Sequence, residues 1–119
     1  MPQDAPSPRR KQLTAEGFDQ IATFFKVLAD PVRLRLLHAL FEGERTVMQL
    51  MEATDCNQAN ASKHLKILLE AGLVVRRKQG THAWYAIGDP SVYGLCEMVC
   101  ERQEALLAAR ARLFRDAAS

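Results

Sequence analysis

Apolar residues recur at helical spacing along most of the chain, and in one short region the pattern changes to one typical of β-strands. The apolar spacing predicts five helices, at about residues 15–28, 31–41, 47–53, 58–71 and 91–114. Between the last two helices, two β-rich runs, residues 74–78 and 82–87, flank Gln79-Gly80-Thr81, which is typical of a β-hairpin. The pattern therefore predicts a mainly α fold with one small two-stranded hairpin.

The fourth predicted helix has two chemically different faces. Ala61, Leu65, Leu68 and Leu69 follow the helical repeat and form a stripe suited to burial. The remaining positions carry amides, a hydroxyl and cations: Asn57, Gln58, Asn60, Ser62, Lys63 and Lys66, with His64 near their edge. These groups can bond base edges and phosphates when a helix enters the major groove, although an ordinary solvated face has a similar composition.

The segments on either side of this helix favour the groove-binding interpretation. Thr46 and Gln49 form a capping-box pattern that opens a short helix, and a tight turn then leads into the fourth helix. This arrangement is a helix-turn-helix, and a hairpin that follows it directly is the wing of a winged helix. The wing carries four groups suited to the DNA backbone or minor groove, namely Arg76, Arg77, Lys78 and His82.

Charge is concentrated in the same region. The whole chain of 119 residues has a formal net charge of only +2, but residues 57–82 hold five Lys and Arg against one Glu. That segment therefore carries +4 and the remainder −2. A local basic patch on a nearly neutral domain suits a phosphate backbone better than a general polycation effect does.

Composition also bounds the class of protein. Residues 1–12 hold three of the five prolines and predict a disordered arm, followed by one winged-helix domain at residues 13–116. No apolar run approaches the roughly 20 residues of a membrane span, and the N-terminus lacks the apolar core of a secretory signal. We therefore expect a cytoplasmic protein without a membrane partner.

The last predicted helix is too long and too apolar for the domain that precedes it. Val92, Leu95, Val99, Leu106 and Leu113 form a stripe that no later segment covers. The stripe predicts a homodimer interface formed with the apolar first helix. Two-fold symmetry would then present two fourth helices to half-sites about one turn of double-stranded operator DNA apart.

Four short sequence segments, taken in order, resemble those of the ArsR/SmtB family of winged-helix repressors. They are residues 28–37 (LADPVRLRLL), 60–68 (NASKHLKIL), 70–74 (EAGLV) and 84–85 (WY), within a match over about residues 18–100. The resemblance implies a homodimer that represses its own operon and leaves the operator when a ligand binds. It also implies that Gln58, Asn60, Ser62, Lys63 and His64 approach the groove and that Arg77, Lys78 and His82 serve the wing.

The sensing sites of that family are not found in this sequence. A Cys-x-Cys pattern on the third helix is replaced by Met48-Gln49-Leu50-Met51, and residues 91–119 contain no histidine for the family's zinc site. The chain does contain Cys96 and Cys100 on one helical face, and Cys56. An odd number of cysteines argues against a disulfide framework.

Three interpretations of these cysteines stay open. Cys96 and Cys100 suit As(III) or a thiophilic divalent metal ion, with Cys56, from either protomer, as the only third sulfur. They also suit oxidation or persulfidation, and they suit simple packing at a dimer seam. A winged helix used as a protein-interaction module and a thiol enzyme are the other classes of function. The enzyme is disfavoured because no nucleophile, base and oxyanion set is visible.

Overall fold

The computed structural model describes the backbone of residues 12–118 and the side chains of residues 12–114. This part of the chain forms five helices and three strands: α1 Ala15–Leu28, α2 Pro31–Leu40, β1 Arg45–Thr46, α3 Val47–Thr54, α4 Gln58–Glu70, β2 Val74–Gln79, β3 His82–Ile87 and α5 Ser91–Ala118. The predicted winged helix-turn-helix is confirmed. The predicted arm lies almost entirely outside the described residues.

The sheet and the last helix are larger than predicted. β1 pairs with β3, Arg45 opposite Tyr85 and Thr46 opposite Trp84, so the described sheet has three strands in the order β1-β3-β2. A strand of two residues is too short to leave an alternating pattern in a sequence. α5 continues to Ala118, beyond the predicted end at residue 114.

Side-chain caps fix the starts of the helices that carry the site. Asp30 accepts hydrogen bonds from two backbone N–H groups of α2, at 2.8 and 3.1 Å. Thr46 and Gln49 form the predicted capping box of α3, and Asn57 caps α4 with a bond of 2.8 Å. Each such cap typically stabilises its helix by about 1 kcal/mol. The predicted groove-binding helix, α4, which we call the recognition helix, therefore begins at a defined residue.

The core lies where α2, α3 and α4 meet the base of the sheet. Its most deeply buried side chains are aliphatic: Leu36, Leu37, Leu50, Leu65, Leu68, Leu73, Val74 and Val92. α5 reaches this core only through its first turns, with Val92 buried and Leu95 and Cys96 partly covered. The rest of α5 therefore extends away from the core.

Candidate nucleic-acid interface

The exposed face of α4 carries most of the groups that the sequence predicted for the major groove. Gln58, Asn60, Ser62, Lys63 and Lys66 are all exposed, whereas the opposite stripe is buried in the core. Asn57 is also exposed, and its side-chain oxygen accepts the backbone N–H of Asn60. The arrangement presents amides, a hydroxyl and two cations on one side of a rigidly packed helix.

His64 does not belong to this face, which corrects the sequence prediction. Only 8% of its surface is exposed, and its Nδ1 lies 3.0 Å from Nη1 of Arg33. The same nitrogen lies 4.0 Å from Oδ1 of Asp30. The ring therefore contacts the start of α2. A signal was present in the sequence, because His64 follows Ala61 by three residues and precedes Leu68 by four, which places it on the buried stripe.

The three cations of the wing have different surroundings. The guanidinium of Arg77 donates to both carboxylate oxygens of Glu44, and its central carbon lies 5.7 Å from the ring centroid of Trp84. This hydrogen bonding lowers the pKa of Glu44 and raises that of Arg77. Successive residues of β2 point to opposite faces, so Arg76 and Lys78 lie on the other face from Arg77. Both are exposed and form no ion pair with another described residue.

The tip of the wing is short and open. Gly80 and Thr81 connect the strands, and Gly80 adopts a φ of 64°, a conformation that favours glycine. His82 lies next to this turn, opposite Gln79, and is exposed. Arg76, Lys78 and His82 are therefore available to a ligand along the hairpin, whereas the charge of Arg77 is already offset by Glu44.

Two of the three predicted sensing cysteines line one cavity. Cys96 and Cys100 face a largely apolar cavity of about 880 Å³ between α1, α2 and α5, whose other lining includes Phe25, Leu34 and Val99. A smaller neighbouring cavity of about 370 Å³ is lined by the same two cysteines. Burial raises the pKa of the Cys96 thiol above its usual value. This thiol is therefore more strongly protonated at neutral pH than a free cysteine is.

Cys56 lies elsewhere, in the turn between α3 and α4. Its sulfur is 3.2 Å from Oγ1 of Thr54, and Cys56 lines neither cavity. Within one described chain the structure thus brings Cys96 and Cys100 together without Cys56. His38 lines both cavities and was missed in the sequence, because nothing in the spacing of α2 relates it to α5. The described residues contain no cluster of three or more His, Cys, Asp or Glu arranged to hold a metal ion.

Comparison with known proteins agrees with this architecture. The family model of bacterial regulatory proteins of the ArsR family matches residues 30–75, from the start of α2 into β2. The arsenical resistance operon repressor of Bacillus subtilis is 39% identical over 79 residues, which cover 64% of this chain and 75% of the repressor. The probable mercury resistance operon repressor of Streptomyces lividans is 42% identical over 77 residues, or 65% of this chain and 62% of that protein.

Solved structures show the same fold. The solution structure of a homodimeric winged helix-turn-helix DNA-binding domain from Mycobacterium bovis superimposes with a TM-score of 0.70. The two sequences are 36% identical, and the match covers 78% of this chain and 86% of the other. Among the described helices, none is both long and apolar enough to cross a membrane. The chain therefore belongs to the ArsR family of bacterial regulatory proteins and is a winged helix-turn-helix transcriptional regulator, not an enzyme.

Proposed function

We propose that this regulator is a homodimeric repressor that binds double-stranded operator DNA and is released by a thiophilic ion at Cys96 and Cys100. The observation that carries the proposal is the exposed face of α4, which combines Asn60 and Ser62 with Lys63 and Lys66. Such a protein acts in the cytoplasm, where bacterial DNA lies. Two relatives are described as operon repressors, which supports repression rather than activation of transcription.

The arrangement of charge supports binding of the groove and the backbone together. On α4, Lys63 and Lys66 suit phosphates, and the amides of Gln58 and Asn60 suit base edges. On the wing, Lys78 extends the cationic surface beyond the helix. A protein-interaction module has no need of this combination of a base-reading helix and a separate cationic hairpin.

Exposed apolar surface supports the dimer. Phe18 of α1 is 59% exposed, and on α5 Val99 is 51% and Phe114 76% exposed. The Cα radius of gyration is 18.9 Å, against about 13 Å expected for a compact domain of this length. A second copy that covers α1 and α5 accounts for both observations, and the solved relative from Mycobacterium bovis is a homodimer.

The donor set at the cavity supports a thiophilic inducer. Two thiolates on adjacent turns of one helix suit a mercuric ion, whereas As(III) takes a third sulfur. Within one described chain the cavity wall adds His38 and Glu42 but no third sulfur, so As(III) would need a sulfur from the partner subunit. Mercury and arsenic both occur in the names of relatives. The same pair of thiols also supports sensing of oxidants or reactive sulfur, which is the second candidate.

The experiment is a titration of the purified dimer on the DNA upstream of its own gene, followed by fluorescence anisotropy. The proposal expects tight binding with a steep negative dependence on salt, because phosphate contacts release counterions. Hg(II), As(III), Cd(II), Zn(II) and a persulfide donor are then added to the complex in turn. Binding without salt dependence would contradict the DNA-binding proposal, and release by the persulfide donor alone would favour the second candidate.

A further inference from the structure

The guanidinium of Arg33 joins three elements of the fold. Its Nε donates to the backbone oxygen of Val27 and its Nη2 to that of Lys26, at 3.2 Å, both in the last turn of α1. Its Nη1 lies 3.0 Å from Nδ1 of His64 on α4. Backbone oxygens at a helix end lack partners within the helix and attract cations. Arg33, itself on α2, therefore connects the end of α1 with the recognition helix.

The contact selects one tautomer of the neutral His64 ring. Arginine has only donors, so Nδ1 of His64 must accept and the ring hydrogen must lie on Nε2. Asp30 lies on the same side of the ring, because its Oδ1 is 4.0 Å from Nδ1 of His64 and accepts from the backbone N–H groups of Val32 and Arg33 at the start of α2. The guanidinium and the imidazole thus lie in one defined orientation.

Replacing Arg33 or His64 removes the hydrogen bond between them and leaves the other polar side chain without this partner beneath the recognition helix. His64 is almost fully buried, and its neighbours on α4, Ala61 and Leu65, are core residues. The face that carries Asn60 and Lys63 is on the same rigid helix. We therefore expect a change in the contact between His64 and Arg33 to tilt or shift this face.

We propose that Arg33 is a positioning residue for DNA recognition, which sets the orientation of α4 by holding His64 against the end of α1. The proposal rests on the proposed operator binding for its DNA readout. It gives His64 a role without any contact with DNA. His64 then affects DNA binding only through Arg33, so the effects of replacing the two residues should be coupled.

A double-mutant cycle tests the proposal on operator DNA. Arg33→Met and His64→Leu should each weaken operator binding about tenfold, within the range found for residues in contact. The double variant should bind about as weakly as either single variant, since each removes the same interaction. If the two losses multiply to about a hundredfold, His64 acts independently of Arg33 and the proposal is overturned.

Controls separate positioning from general loss of charge or fold. Arg112→Met removes the same charge from an exposed position of α5 and should leave operator affinity unchanged. Circular dichroism identifies any variant that fails to fold. In that case the conservative pair Arg33→Lys and His64→Gln serves the same cycle. Failure of the wild type to bind operator would instead refute the proposed function.

A second readout does not depend on DNA. At a pH at which the ring is neutral, ¹⁵N NMR of His64 should show the ring hydrogen on Nε2 and an accepting Nδ1 in the wild type. Arg33→Met should shift the Nδ1 signal, because its hydrogen-bond donor is lost, whereas Arg112→Met should not. An unchanged His64 spectrum in Arg33→Met would overturn the proposal whatever the DNA measurements show.

Discussion

At the scale of single residues, the exposed side chains of α4 divide by chemistry into cations suited to phosphates and amides suited to base edges. Lys63→Ala should weaken binding to operator and random DNA alike and reduce the salt slope by about 1. Asn60→Ala should mainly reduce the preference for the operator, by about 1–3 kcal/mol of discrimination. Anisotropy titrations on both DNAs measure the two effects. Equal losses on operator and random DNA for Asn60→Ala would show that this amide reads no base.

The thiols give a second prediction at this scale. The double variant Cys96→Ser, Cys100→Ser should still fold and bind operator but ignore Hg(II), whereas Cys56→Ser should respond like the wild type. Release of the double variant at the same Hg(II) concentration would leave only a packing role for the pair.

The response to the metal should also depend on pH in a defined direction. Burial raises the pKa of Cys96, and metal binding requires the thiolate, so binding releases a proton. Affinity for Hg(II) should therefore increase as the pH rises toward the pKa of Cys96 and fall as the pH is lowered. A titration series at fixed salt between about pH 6 and 8, where proteins tend to be most stable, measures this dependence. An affinity that is constant over the series would exclude Cys96 as a ligand.

At the scale of elements, the wing carries one cation that we expect to contact DNA, Lys78, and one whose charge is already paired within the domain, Arg77. Lys78→Ala should reduce the salt slope of DNA binding by about 1, as expected for a phosphate contact. Arg77→Ala should reduce it less, because its charge is paired with Glu44. Glu44→Gln should release Arg77 and strengthen binding. Equal slopes for Lys78→Ala and Arg77→Ala would contradict this division.

The elements also show how far sequence patterns reach. The spacing of Leu65 and Leu68 and the caps at Asp30, Thr46 and Asn57 are local signals, and they placed the helices correctly. β1 and the pairing of Arg77 with Glu44 depend on residues far apart in sequence, which periodicity does not relate. The groove-binding and sensing roles of the side chains remain predictions.

At the scale of the whole molecule, the exposed stripe of α5 predicts a dimer that one charge should break. Val99→Glu places a carboxylate in the seam but leaves the monomer core intact, because Val99 is exposed in the single chain. It should produce monomers with weak operator binding, measured by sedimentation. Ala108→Glu adds the same charge on the opposite face of α5, nine residues along, and should remain dimeric. A dimeric Val99→Glu would place the interface elsewhere.

The same helix links the stability of the fold to the amount of protein present. Because the described part of α5 contributes only its first turns to the core, most of its apolar surface would be covered only in the proposed dimer. Dimer formation uses only folded chains and therefore shifts the folding equilibrium toward the folded state by mass action. The melting temperature of the proposed dimer should accordingly rise with protein concentration. At low abundance the regulator would be both less associated and less resistant to unfolding and proteolysis.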